Sequence, residues 1–143
     1  MLKAIDPLLG PDLLYVLRAM GHGDELAIVD ANYPAHSAGP DVIRVEAGAP
    51  RTLDAVLSVM PLDDFVPDAC WRMEVVGAAA SDEPIFGEFR AIIAKHEGAK
   101  FKLASLERFA FYEKAKGAFA VLSTNERRLY GNIILKKGIV RPD

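Results

Sequence analysis

A histidine between two glycines is the residue whose type and position most directly suggest chemistry in this sequence. His22 is one of three histidines in the chain and lies in the segment GHGD, where the glycines leave the imidazole accessible and let the backbone bend. Histidine titrates near neutral pH, so it can donate and accept protons without much tuning. The alternative is a surface turn histidine with no chemical role. We interpret His22 as a candidate acid–base group.

Asp30 ends the apolar run ELAIVDA, which has the pattern of a buried strand. Ligands of open α/β sheets usually lie beyond the carboxyl ends of the strands, so topology alone makes Asp30 a site candidate. Its carboxylate could hold a sugar hydroxyl or orient a base, or it could cap the next turn. We expect the strand to bring Asp30 into the same pocket as His22. Together with Asp24 these residues also suggest a metal site, but the spacing is irregular and no Cys/His cluster supports it, so no metal is predicted.

Further candidates lie toward the C-terminus. Tyr130 and Asn132 flank Gly131 in the segment YGN, at the start of a predicted strand, and both side chains are rich in hydrogen-bonding groups. The alternative for this segment is a bulge with a strand residue on either side. Arg108 begins the last predicted helix and could direct its guanidinium at an oxygen-rich ligand. Its alternative is a surface ion pair with a nearby acid such as Glu107.

The hydrophobic pattern that must position these residues alternates between helices and strands. Helical periodicity or helix-end signals occur in PDLLYVLRAM, RTLDAVLSVMPLDD, DEPIFGEFRAIIAKHEG and ERFAFYEKAKG. Strand patterns occur in ELAIVDA, DVIRVEAG, WRMEVVG, KFKLAS, AFAVLST and LYGNIILKKGIV. Such alternation predicts an α/β fold, a three-layer α/β/α sandwich with a mainly parallel central sheet. The last two strands are separated by the turn NERR and could form a hairpin, which would make the sheet mixed.

Composition limits the classes of function. At 143 residues, with 51% apolar and 26% charged residues, the chain is expected to form one domain over residues 1–143. A net charge of −3 argues against nucleic acid or an anionic membrane as a main partner. The single cysteine, Cys70, favours a packing role and a reducing cytoplasm. The segment GHGD follows a helix and precedes a strand, the reverse of the order in a nucleotide fingerprint, so no cofactor is predicted.

Three segments, taken together, resemble one known family. The stretches MGHGDELAIVDANYPAHSAGPDVIR, RFAFYEKAKGAFAV and LYGNIILKKG are similar to the family of fucose mutarotases and ribose pyranases, in the same order and over nearly the whole chain. The sequence resembles the fucose branch, because it reads GHGD, DANYPAHS and YGN. The ribose branch has GHTD, a shorter DAGLP-like continuation and YAN, and tends to carry a histidine where Arg108 stands. Asn32 is a departure, since some fucose-type members carry a histidine there.

The resemblance implies a reaction and roles for the candidates. It implies interconversion of the α and β anomers of L-fucose, with His22 as the catalytic proton donor and no cofactor. It places Asp30, Arg108, Tyr130 and Asn132 around the substrate hydroxyls. Gly131 would allow close approach of the sugar.

The resemblance also implies an assembly. Members of the family form a ring-shaped homo-oligomer, typically a decamer, with pockets where subunits meet. Asp63 and Asp64 would contribute from the neighbouring subunit. The second proton-transfer group stays open between Tyr130, Asp30, His36 and water.

Other functions remain alternatives at this point. The closest is pyranose–furanose interconversion of D-ribose. A sugar-binding protein without catalysis and a purely structural ring-forming subunit are the others.

Overall fold

The computed structural model describes all 143 residues as a six-stranded sheet with helices on both faces. The helices are α1 (Pro11–Ala19), α2 (Ala49–Leu57), α3 (Pro84–Glu97) and α4 (Arg108–Lys116), with a short 3₁₀ helix at Ala35–Ser37. The strands are β1 (Glu25–Val29), β2 (Asp41–Arg44), β3 (Cys70–Met73), β4 (Ala104–Leu106), β5 (Ala120–Ser123) and β6 (Ile133–Lys136). The predicted α/β class and the three-layer arrangement are confirmed.

The strands lie in the order β2-β5-β1-β6-β3-β4. β6 is antiparallel to both of its neighbours, β1 and β3, while the remaining pairs are parallel. Five strands therefore point one way and β6 points the other. The start of β6 consequently meets the carboxyl ends of β1 and β3, which is the edge where ligands of such sheets usually bind.

The predicted hairpin between the last two strands is wrong, although the sheet is mixed. β1 lies at the centre of the sheet, where its backbone pairs with β5 on one side and with β6 on the other, and helices bury both faces of its apolar run. The segment between β5 and β6 crosses the end of β1 and is fixed there. The Thr124 hydroxyl donates to the carbonyl of Val29 at 2.7 Å, and the N–H of Ala31 donates to the carbonyl of Glu126 at 2.8 Å.

Two hydrophobic clusters hold the layers together. The larger one packs α1, α2 and α3 against one face of the sheet, and the smaller one packs α4 against the other. Helix ends follow local rules: Pro11 opens α1, and the Glu107 carboxylate accepts the N–H groups of Phe109 and Ala110 at the start of α4. Cys70 is fully buried in the larger cluster, as a packing residue would be. None of the helices is long and apolar enough to cross a membrane.

Candidate active site

Four strand ends meet at one edge of the sheet and carry most of the predicted site residues. Asp30 directly follows β1, Asn132 directly precedes β6, and Arg108 lies two residues beyond β4. Met73, the last residue of β3, lies between Asn132 and Arg108 in the order of the strands. The register pairs Ile28 and Arg72 with Ile133, so the next row across the sheet contains Val29, Asn132 and Met73.

These residues surround a cavity of about 180 Å³. Its lining consists of Asp30, Asn32, Tyr33, Met73, Val76, Arg108, Tyr112, Leu129, Tyr130 and Asn132. The structure thus brings together four of the six predicted site residues. Gly131 does not line the cavity, and His22 lies elsewhere.

Asp30 is a buried carboxyl at the floor of the cavity. Asp30 is only 4% exposed, and this burial raises the pKa of its carboxyl. Hydrogen bonding opposes that effect in part: the N–H of Asn32 donates to Oδ1 at 2.9 Å. The backbone N–H of Asp30 donates to Oδ1 of Asn132 at 2.8 Å, which fixes the Asn132 side chain against the backbone of Asp30. Hydrogen bonding from the Asn132 side chain also works to lower the pKa of Asp30, and the amide NH₂ has a second N–H to offer a ligand.

Tyr130 has a backbone conformation that few side-chain-bearing residues adopt, with φ at +61°. Its hydroxyl accepts the N–H of Val76 at 3.1 Å, which leaves the hydroxyl proton free for a ligand. Gly131 comes next, and a Cβ there would lie 2.7 Å from Cγ of Glu126 and 3.2 Å from Cδ1 of Ile85. Glycine is thus required by packing against the protein. The expectation that it permits close approach of the sugar is not what its surroundings indicate.

Arg108 is the residue whose hydrogen-bonding groups most clearly lack partners. Its guanidinium carbon lies 4.6 Å from the centroid of the Phe109 ring and 6.0 Å from that of Tyr112. Nε is buried without a hydrogen-bond partner, and the side chain forms no ion pair with a carboxylate. The alternative of a surface ion pair is therefore wrong. Unpaired buried donors are rare in folded proteins, so this guanidinium keeps its hydrogen-bonding capacity for a ligand.

His22 lies at the opposite edge of the sheet, and the expectation that it shares a pocket with Asp30 inside one chain is wrong. The two residues flank β1, whose five residues at about 3.3 Å each separate them by roughly 16 Å. A single monosaccharide is too short to reach both. The same separation rules out a metal site containing both residues. No three His, Cys, Asp or Glu side chains elsewhere are grouped so as to hold a metal ion.

At its own edge, His22 forms a pair with Asp63. Nε2 lies 3.0 Å from Oδ1 of Asp63, and since a carboxylate only accepts, Nε2 carries a proton in this pair, while Nδ1 makes no hydrogen bond within the chain. Burial by itself would raise the pKa of the Asp63 carboxyl, but the hydrogen bonds from His22 and from the N–H of Phe65 outweigh it and the net pKa is lowered. The Phe65 ring lies 5.3 Å from the imidazole. The His22 side chain remains 45% exposed.

Lys137 holds the turn that carries His22. Its Nζ donates to the carbonyl of Leu17 at 2.7 Å and to that of Met20 at 2.5 Å, where α1 ends. Its backbone bonds to both Gly23 and Asp24, each at 2.8 Å. Desolvation lowers the pKa of this ammonium. The turn is thus fixed from two sides, although nothing in the sequence pattern singled out Lys137.

The remaining candidates have other surroundings. Asp64 pairs with Arg141 at 2.7 Å and with Lys100 at 3.4 Å, and those cations lower the pKa of Asp64 to about 2. His36 is exposed on the 3₁₀ helix and does not line the cavity. Met73, Val76 and Leu129 line the cavity but were not predicted. The rule that sites lie beyond strand ends could have found Met73, since it ends β3.

Comparison with known proteins agrees with this architecture. Residues 3–140 match the model of the RbsD / FucU transport protein family. The fucose mutarotase of Homo sapiens is 44% identical over 97% of this chain and 94% of its own length. The crystal structure of the fucose mutarotase in complex with L-fucose from Streptococcus pneumoniae has a TM-score of 0.89 and 42% identity, covering 98% of this chain and 100% of that one.

A more distant structure shares the fold. Bacillus subtilis RbsD complexed with D-ribose has a TM-score of 0.76 at 20% identity, covering 99% of this chain and 100% of that one. The similarity of fold, the coverage by the family model and the identity over almost the full length agree with one another. The chain belongs to the RbsD / FucU family.

Proposed function

We propose that this chain is an isomerase that interconverts the α and β anomers of L-fucose. The observation that carries the proposal is the cavity where Asp30, Tyr130, Asn132 and the unpaired Arg108 converge. The identity of 44% to a fucose mutarotase supports the choice of sugar. We propose further that the chain works as one domain, residues 1–143, in a reducing cytoplasm, where the free thiol of Cys70 would persist.

We propose that each site is completed by His22 of a second copy. The cavity of one copy contains no histidine, and His22 at the opposite edge of the sheet makes no hydrogen bond through Nδ1. Both edges expose apolar side chains that a partner would cover: Phe65 is 62% exposed beside His22, and Leu129 is 65% exposed beside the cavity. Because the two edges differ, the contact is head-to-tail, and repeated head-to-tail contacts close into a ring when the rotation allows it. A decamer is the assembly that the family resemblance implies.

The chemistry requires two proton transfers. A base removes the proton from the anomeric hydroxyl while an acid protonates the ring oxygen, and the bond between C1 and that oxygen breaks to give the open-chain aldehyde. Rotation about the C1–C2 bond exposes the other face, and the reverse transfers close the ring. With Nε2 held by Asp63, His22 would supply the proton for the ring oxygen from Nδ1 of its doubly protonated ring, and would take that proton back when the sugar ring closes. Positioned acid–base groups of this kind contribute about 10²–10⁴-fold each.

The pocket residues would mainly position the sugar. Arg108 and the amide of Asn132 donate to hydroxyl oxygens, and Asp30 accepts from a hydroxyl, so the ring is held while it opens. The partner for the anomeric proton is Tyr130, Asp30 or a water molecule. His36, the other candidate, lies outside the cavity.

Two alternatives make different measurable predictions. A D-ribose pyranase would accelerate pyranose–furanose exchange of ribose, and a sugar-binding protein would accelerate neither reaction. Saturation-transfer NMR on equilibrated L-fucose and, separately, D-ribose distinguishes them. We expect saturable exchange between the anomeric protons of L-fucose and a slower effect on ribose. Faster exchange with ribose than with fucose would replace the proposed substrate, and exchange at the buffer rate for both would refute the enzyme.

A further inference from the structure

We infer that Met73 and Val76 form a subsite for the methyl group of the sugar, which selects 6-deoxy sugars over their hydroxylated counterparts. This inference rests on the proposed function and adds to it the residues that determine specificity. Polar and apolar groups are unevenly distributed in the cavity.

The polar groups lie on both sides of an apolar centre. In the sheet order, Met73 of β3 lies between Asn132, which precedes β6, and Arg108, which follows β4. Neighbouring strands are about 4.8 Å apart, so Met73 lies within one strand spacing of each flanking strand. A sugar held by both polar groups must therefore place part of itself over the Met73 side chain.

The apolar Met73 side chain cannot replace the hydrogen bonds that a sugar hydroxyl makes with water. It is 3% exposed and belongs to the hydrophobic cluster under α4, together with Tyr33 and Phe111. Val76 extends the apolar surface at the mouth of the cavity. Its backbone N–H donates to the Tyr130 hydroxyl, which ties this loop to the site. A hydroxyl directed at this surface would lose its hydrogen bonds to water without replacement, whereas a methyl group would gain contacts.

Three sugars that share the remaining hydroxyls test this reasoning. L-Fucose carries a methyl group on C5, L-galactose carries a hydroxymethyl group there, and D-arabinose carries only hydrogen. An apolar pocket discriminates against an added hydroxyl by about 10²-fold, and against a missing methyl by about 10–200-fold. We expect kcat/KM of the wild-type protein to be highest for L-fucose, with both other sugars at least about tenfold lower.

The decisive variant is Met73→Gln, which keeps the length of the side chain and adds an amide. Met73→Leu is the matched control, because it keeps an apolar side chain of similar volume. We expect the ratio of kcat/KM for L-fucose over L-galactose to fall at least about tenfold in Met73→Gln and to change less than about threefold in Met73→Leu. Each ratio is taken within one sample, so a partly unfolded preparation does not alter it.

Val76→Thr is a second, isosteric variant at an exposed position and serves if Met73→Gln does not fold. A lower fucose-to-galactose ratio in that variant supports the subsite. A ratio that stays at the wild-type value in the folded polar variants overturns it. Failure of the proposed function would look different, since the wild-type protein would then exchange none of the three sugars faster than buffer.

Discussion

Two variants that each impair a different edge should regain activity when they assemble together, if each site takes groups from two subunits as proposed. His22→Ala removes the proposed proton donor and leaves the cavity intact. Tyr130→Phe alters the cavity and leaves the histidine edge intact. The separation of roughly 16 Å along β1 prevents one chain from supplying both groups to one sugar.

The size of the recovery follows from the geometry. In a random equimolar assembly, half of the cavities belong to His22→Ala chains, and half of those face a histidine from a Tyr130→Phe chain. About one quarter of the sites are then complete, so we expect about one quarter of the wild-type exchange rate per subunit. A site contained within one chain would recover nothing.

Co-expression with two different affinity tags gives the mixed assemblies, and saturation-transfer NMR on L-fucose gives the rate. The matched control mixes wild-type chains with chains that carry both substitutions. A shared site then leaves about one quarter of the activity, whereas a site within one chain leaves about one half. Mixed assemblies that stay inactive, together with the value of one half in the control, would refute the shared site.

Two further predictions concern single residues. Asp30→Asn should raise the thermal stability at pH 7 while lowering activity, because burial raises the pKa of Asp30 and its ionised form destabilises the fold. The stability that the protonated Asp30 carboxyl contributes is present below its pKa in the unfolded chain and is lost as the pH rises through its raised pKa in the folded protein. Below about pH 4 the carboxyl is protonated in both the folded and the unfolded protein, so the gain in Tm from Asp30→Asn should disappear there. A gain that persists below that pH would contradict the reasoning. Lys137→Met should lower the free energy of unfolding by about 1–3 kcal/mol, because it leaves two carbonyls at the end of α1 without their donor. It should also reduce kcat more than it changes KM; denaturant unfolding and exchange kinetics measure both effects, and an unchanged kcat would show that the lysine does not position His22.

The sequence predicted much of the cavity: topology indicated Asp30, and the family resemblance placed Arg108, Tyr130 and Asn132 around the substrate with it. Asp30 and Arg108 follow parallel strands and Asn132 precedes an antiparallel one, so all three meet at one edge. The sequence pattern did not reveal the place of β6, since strand pairing depends on contacts between distant segments. The local turn NERR suggested a hairpin, but β1 lies between β5 and β6 and pairs with both of them.

The error about His22 has a simple physical origin. A residue that precedes a strand and a residue that follows it lie at opposite ends, so Asp30 and His22 could not share a pocket in one chain. The partnership of His22 with Asp63 brings together two segments about forty residues apart, at a distance of 3.0 Å, and no local pattern indicates it. Met73 had the sequence signature of an ordinary core methionine. Only its position between two polar strand ends distinguishes it.

The measurement that tests the central claim most directly is the exchange rate between the α and β anomeric protons of L-fucose, with the wild-type protein and with His22→Ala. We predict saturable exchange well above the rate in buffer, and a fall of at least about 10²-fold in the variant while its thermal unfolding stays close to that of the wild type. Exchange by the wild-type protein at the buffer rate, or fast exchange that survives the substitution, would contradict the account.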